Sequence, residues 1–80
     1  MVDYRFLVEE FSASMLSKLV EARKRHGDSW LIVPISQLRR RLKKEFQEWC
    51  NAKDKETELK ELIDIANQCL LLYFRLLEKR

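Results

Sequence analysis

Glycine and proline are almost absent from this 80-residue chain, which contains only Gly27 and Pro34. These two residue types mark turns, so their scarcity argues against a sheet with many turns and favours a few long helices. No apolar run is long enough to span a membrane, and Met1 is not followed by a basic stretch leading into an apolar one. We therefore expect a cytoplasmic protein without a signal peptide, with residues 1–80 forming one domain.

Cysteine and histidine are also scarce. Cys50 and Cys69 lie in different helical segments without the spacing of a metal site, and His26 alone cannot complete a zinc site with them. Because the cytoplasm is reducing, we expect both thiols to be free and buried. A lone histidine is more often a surface residue than a catalyst.

Apolar residues recur at steps of three and four along three segments, which predicts three amphipathic helices. The first is expected over about residues 3–25, followed by Gly27 as its C-terminal cap. The second covers about residues 34–50 with the proline in its first turn, and the third follows an N-cap at Asp54 and reaches residue 77 or beyond. The residues expected to be buried on the first two helices are Tyr4, Leu7, Val8, Phe11, Met15, Leu19 and Ala22, and then Ile35, Leu38, Leu42, Phe46 and Trp49.

The third helix is apolar on nearly every side between Leu62 and Leu77, where the segment from Cys69 onward has Arg75 as its single polar residue. A helix that is apolar all round must be covered all round, and two other helices of so short a chain cannot do this. We therefore expect a homodimer or homotetramer packed along this helix. The predicted fold is all-α, an antiparallel helical hairpin or bundle of three to four helices completed by oligomerisation.

Four acids form two pairs at the same spacing, Glu45 with Glu48 on the second helix and Glu61 with Asp64 on the third. At about 100° per residue, each pair lies beside an apolar face, so two antiparallel helices could place the pairs opposite each other. Four carboxylates in one pocket repel unless a divalent cation lies among them, and oxygen-only ligation selects Mg²⁺ or Mn²⁺. The alternative interpretation is that both pairs belong to ordinary solvated helix faces.

The pattern Glu45-x-x-Glu48, twelve residues, Glu61-x-x-Asp64, then x-x-Asn67 resembles the MazG-like, all-α nucleoside triphosphate pyrophosphatase superfamily. The resemblance covers most of the chain. It implies hydrolysis of a nucleoside triphosphate between the α and β phosphorus atoms, giving a monophosphate and pyrophosphate in nucleotide-pool house-cleaning. It also implies that the four acids are catalytic and hold Mg²⁺, with Mn²⁺ as a possible substitute.

The resemblance further suggests substrate contacts. Asn67 is expected to reach the metal's water shell, a phosphate or the sugar. Family members often carry a lysine just before the tryptophan, and Lys24, Arg25 or His26 could contact phosphates here, with a solvated helix end as the alternative for each. Trp30 is a candidate for stacking on a base, with core packing as the alternative. Phosphoribosyl-ATP pyrophosphohydrolase is the near alternative in this superfamily, but its corresponding helix tends to carry tyrosine and histidine where this chain has Asn67 and Gln68, which favours the house-cleaning branch. Dimeric dUTP-type and dCTP-type members share the same acids, so the sequence does not specify the base.

Basic residues are concentrated in the middle of the chain, which leaves another class of function open. Residues 23–44 carry eight basic side chains and one acid, Asp28. Such a segment could bind a polyphosphate or nucleic acid. The basic residues of the second helix spread around it and no recognition motif is visible, so a small nucleic-acid-binding regulator is the weaker hypothesis. A non-catalytic helical oligomeric interaction protein is the third, and it would leave the acids unexplained.

Overall fold

The computed structural model describes residues 1–78, which form three α-helices and one short 3-10 helix. Helix α1 spans Tyr4–His26, α2 spans Ile35–Cys50 and α3 spans Lys55–Leu77. The 3-10 helix, Ser29–Leu31, lies in the connection between α1 and α2. The three helices pack against each other, which confirms the all-α prediction, and their ends lie within about one residue of the predicted ones.

Side-chain caps begin α1 and α3. Asp3 Oδ1 accepts a hydrogen bond from the backbone N–H of Phe6 at 3.3 Å, and Asp54 Oδ1 accepts one from the N–H of Thr57 at 2.8 Å. These bonds satisfy donors that the first turn of a helix leaves free. The hydrogen bond from the Thr57 N–H also holds the pKa of the Asp54 carboxyl below its usual range. Helix α2 differs slightly from the prediction, because Pro34 lies just before its first turn and not within it.

Gly27 ends α1 as the sequence predicts. Its φ of 63° lies in a region that L side chains rarely adopt, and its N–H donates to the carbonyl of Arg23 at 2.8 Å. The chain therefore leaves the helix at this residue. It enters the connector, residues 28–34, which carries Trp30 and leads to α2.

Helices α2 and α3 form an antiparallel hairpin. Near its turn, Trp49 Nε1 donates to Glu58 Oε2 at 3.1 Å. At its open end, Arg75 Nη1 donates to the carbonyl of Val33, just before α2, at 2.6 Å. Leu38 of α2, which is 1% exposed, forms the buried core. This register decides which side chains of the two helices face each other.

Helix α1 meets α3 near the middle of both helices. The carbonyl of Met15 accepts a hydrogen bond from Asn67 Nδ2 at 3.2 Å. The predicted apolar stripe of α1 is at least half-buried at Met15, Leu19 and Ala22, but its first half is exposed at Tyr4, Leu7, Val8 and Phe11. The prediction of burial was wrong for this first half, because the contacts with α3 lie farther along α1.

Several apolar side chains of α2 and α3 are also exposed, including Cys50, Cys69 and Phe46, which were predicted to be buried. Cys50 and Cys69 are free, but they are exposed and not buried. Phe46 is 52% exposed, and Tyr73, Phe74, Leu76 and Leu77 at the end of α3 are exposed as well. Two neighbouring helices cover only part of the circumference of an apolar helix, so the rest of its surface remains open.

Within residues 1–78, no helix has both the length and the apolar character needed to cross a membrane.

Candidate metal centre

Three carboxylates from two helices converge between α2 and α3. Glu45 of α2 and Glu61 and Asp64 of α3 each offer one oxygen, and these oxygens all lie within 4.8 Å of one another. Glu61 and Asp64 share a face of α3 because they are one turn apart, and the antiparallel register brings Glu45 opposite them. All three residues are half-buried. Oxygens at these separations could bind one small cation, since Mg²⁺ takes oxygen ligands at about 2.1 Å.

Glu48, the fourth predicted ligand, lies beside this group of three. Its charge raises the pKa of both Glu45 and Glu61, so it is close enough to act on each of them electrostatically. It is one turn beyond Glu45 on the same helix and is half-buried. The acid cluster, defined here as Glu45, Glu48, Glu61 and Asp64, therefore has three members close together and a fourth next to them.

Burial and mutual repulsion shift two of these acids. Burial, followed by the charges of Glu48, Asp64 and Glu61, raises the pKa of Glu45 from its ordinary value of 4.5 to about 7. Burial and the charges of Asp64 and Glu48 also raise the pKa of Glu61, while Lys18 acts in the opposite direction. The positive charge near the cluster is therefore too small to offset the repulsion among its carboxylates when they are ionised.

Lys18 supplies a positive charge to the cluster from α1. Its Nζ lies 2.8 Å from Asp64 Oδ1, and the two side chains are 42% and 30% exposed. Sequence reasoning gave Lys18 no role in the site. The periodicity of α1 shows which face is apolar, but it does not show where α1 crosses α3.

Three polar atoms on α3 are buried and have no hydrogen-bond partner within residues 1–78: Glu61 Oε1, Asn67 Oδ1 and Gln68 Oε1. Asn67 is 6% exposed and binds the Met15 carbonyl through its Nδ2. Buried polar atoms are normally satisfied, so an unpartnered carboxylate oxygen in an acid cluster fits a bound cation. Asn67 is buried and does not line the cavity that opens beside the cluster, and its contact with the metal's water shell, a phosphate or the sugar stays a prediction.

A cavity of about 610 Å³ opens beside the acid cluster, between the end of α1, the connector and the α2–α3 hairpin. Glu45 lines this cavity and also belongs to the cluster. The rest of its wall includes the basic residues Arg23, His26, Arg41 and Lys44 and the apolar residues Trp30, Leu70 and Leu71. The cavity thus joins the acids to a basic and partly apolar surface.

Of the four residues predicted to contact the substrate near the end of α1, His26 and Trp30 line the cavity, whereas Lys24 and Arg25 do not. Lys24 is exposed and pairs with Glu21 at 3.7 Å, and Arg25 is exposed. Arg41 and Lys44 line the cavity instead. Arg41 lies three residues before Lys44 and four before Glu45, spacings that make it a neighbour of both on α2, and this signal was available in the sequence.

Comparisons of the chain with protein families, with curated proteins and with solved structures find no match.

Proposed function

We propose that this protein is a Mg²⁺-dependent nucleoside triphosphate pyrophosphohydrolase, which converts a (deoxy)nucleoside triphosphate and water into the monophosphate and pyrophosphate. The observation that carries the proposal is the convergence of Glu45, Glu61 and Asp64 from two helices. The adjoining cavity of about 610 Å³ supports it, because this volume is in the range of small-molecule sites.

The acid cluster would hold the metal ion. Its donors are all carboxylate oxygens, a set that favours Mg²⁺ or Mn²⁺ over softer metals. When bound, the ion supplies positive charge that neutralises phosphate oxygens and lowers the pKa of a coordinated water. The unpartnered Glu61 Oε1 and the raised pKa of Glu45 both fit a site that is completed by a cation.

The reaction breaks the bond between a phosphorus and the oxygen that bridges the α and β phosphates. The oxygen of water forms the new bond to phosphorus, and the proton that the water loses passes to a carboxylate of the cluster or to solvent. Lys18, held beside Asp64 on the α1 side, adds a positive charge to the acid cluster. The sequence resemblance to the MazG-like superfamily supports the same cleavage, since its implied metal ligands include the three acids that converge here.

We further propose that the protein acts as a homodimer or homotetramer. Exposed apolar side chains lie at the end of α3, where Tyr73 is 58% and Leu77 is 61% exposed, and at the start of α1, where Phe6 and Val8 are exposed. Soluble monomers rarely expose large apolar patches. The same exposure also favours a second candidate, a non-catalytic helical interaction protein, which would account for these side chains and not for the acids.

Product analysis separates the two functions. The protein is incubated with Mg²⁺ and a panel of canonical and modified (deoxy)nucleoside triphosphates, and the products are resolved by ion chromatography. We expect equal amounts of monophosphate and pyrophosphate from at least one substrate. Release of orthophosphate would refute the stated bond cleavage, and no turnover across the panel would favour the interaction protein.

A further inference from the structure

Arg41 and Lys44, two of the basic side chains that line the cavity, have no acidic partner among residues 1–78. Arg41 and Lys44 both line it, and neither forms a salt bridge or a side-chain hydrogen bond with another residue in the described part of the chain. Arg23, another basic residue on the wall, is paired with Asp28 at 3.4 Å. Unpaired positive charges on a concave surface favour an anionic ligand.

The two basic residues and the two α2 members of the acid cluster follow each other along one side of α2. Arg41 precedes Glu45 by one turn, which corresponds to roughly 6 Å along the helix axis, and Lys44 lies on the same side. Glu45 belongs to both the cavity and the cluster. The positive part of the face therefore begins where the metal-binding part ends, so one polyphosphate could contact both.

The other walls of the cavity have a different character. Leu70 and Leu71 of α3 and Trp30 of the connector offer apolar surface, and Gln68 Oε1 is buried without a partner among the described residues. Apolar and aromatic side chains with one or two polar groups are typical of sites for flat organic ligands. A bare inorganic phosphate would leave these groups unused.

We propose that this cavity binds the nucleotide, with its phosphates against Arg41 and Lys44 and its base against Trp30 and Leu71. Gln68 Oε1 accepts a hydrogen bond from an N–H of the base. The identity of the ligand rests on the function proposed above, whereas the location rests on the cavity. Phosphate binding is thereby assigned to α2, not to Lys24 and Arg25 at the end of α1.

Binding of uncleavable nucleotides tests this location without requiring turnover. The probes are the α,β-methylene analogues of ATP, GTP, CTP and UTP, titrated calorimetrically in the presence of Mg²⁺. The variant Arg41→Gln/Lys44→Gln should bind at least about tenfold more weakly than the wild type, because charge-assisted hydrogen bonds to phosphate are lost. The variant Arg40→Gln/Lys43→Gln, which removes the same charge from two exposed positions of α2 outside the cavity, should bind like the wild type.

The fluorescence of Trp30 gives an independent readout of the location. In a Trp49→Phe background, in which Trp30 is the remaining tryptophan, the tightest analogue should change the emission, and the change should require Arg41 and Lys44. Circular dichroism confirms that each variant is folded. Three results would overturn the site, whether or not the protein hydrolyses nucleotides. They are unchanged binding in the Arg41→Gln/Lys44→Gln variant, equal weakening in both double variants, and no binding to the wild type. Binding that depends on Arg41 and Lys44 without any turnover would instead support the site and refute the hydrolase function.

Discussion

Lys18 Nζ lies 2.8 Å from Asp64 Oδ1, so the acid cluster receives a positive charge from α1 before any metal binds. This ion pair lies one turn from the hydrogen bond between the Met15 carbonyl and Asn67 Nδ2. The electrostatics of the site and the packing of α1 on α3 therefore depend on the same region. A divalent cation bound to Asp64 would compete with Lys18 for the carboxylate.

Because of this ion pair, removing different acids should have different effects on the metal-free protein. Glu45→Gln should raise the free energy of unfolding, since it relieves repulsion from the other carboxylates. Asp64→Asn should raise it less or lower it, since it also leaves Lys18 without its partner. Urea unfolding in EDTA measures both values. An equal gain in the two variants would show that the Lys18–Asp64 pair does not stabilise the fold.

The raised pKa of Glu45 predicts how stability depends on pH. Between its ordinary value of 4.5 and about 7, the folded protein binds more protons at this residue than the unfolded chain does. The free energy of unfolding of the metal-free protein should therefore fall as the pH rises through this range. Above about pH 7, the contribution of Glu45 should no longer change with pH. Thermal unfolding in EDTA between pH 5 and pH 8 is the measurement.

A matched variant isolates this effect from the titration of other groups. Glu45→Gln should flatten the fall in stability, and Glu56→Gln, which removes an exposed acid from the first turn of α3, should leave it unchanged. Saturating Mg²⁺ should also flatten it, because the ion favours the ionised carboxylates. A wild-type protein that becomes more stable from pH 5 to pH 7 in EDTA would contradict the account of the cluster.

Arg75 is expected to hold the connector against the hairpin. Its Nη1 donates to the carbonyls of Trp30 at 2.7 Å and of Val33 at 2.6 Å. Arg75→Met should lower the free energy of unfolding by roughly 2–4 kcal/mol, because two part-buried carbonyls lose a charged donor. Chemical denaturation checks this value, with Arg39→Met, at an exposed position of α2, as the control. A similar small effect of both substitutions would show that the two hydrogen bonds contribute little.

The exposed end of α3 should lie in an interface between copies of the chain. Sedimentation equilibrium at micromolar concentrations should give a dimer or tetramer of the 9.7 kDa chain. Leu77→Glu, which places a charge at a position that is 61% exposed in the single chain, should shift the protein toward monomer. Lys55→Glu at the other end of α3 is the control and should not. A folded, soluble monomer at every concentration would refute the oligomer.

The helices could be predicted from the sequence because their signals are local. The caps Asp3, Gly27 and Asp54 each bond to a residue three or four positions away in the chain. The apolar periodicity marks the helical segments between them. The convergence of Glu45 with Glu61 and Asp64 followed from the same reasoning. The short connection between two helices predicts an antiparallel pair, and the i, i+3 spacing places the acids of each pair on one face of their helix.

The contacts that were missed depend on residues far apart in the chain. Arg75 reaches Trp30 and Val33 over more than forty residues, and in the sequence it looks like a single polar residue in an apolar helix. Lys18 meets Asp64 through the crossing of α1 over α3, which no periodicity specifies. The exposure of Phe11 has the same origin, since an amphipathic pattern shows that a face favours burial and not what covers it.

The central claim is that the carboxylates between α2 and α3 hold the metal that drives pyrophosphate release. It is tested most directly by the rate of pyrophosphate release from the best triphosphate of the panel, measured with Mg²⁺ and with EDTA for the wild type, Glu61→Gln and Glu56→Gln. We predict Mg²⁺-dependent release by the wild type and by Glu56→Gln, and a loss of at least about a hundredfold in Glu61→Gln, because the oxygen that would bind the cation is replaced by an amide. Release that persists in EDTA, or that is equal in Glu61→Gln and Glu56→Gln, would contradict the claim.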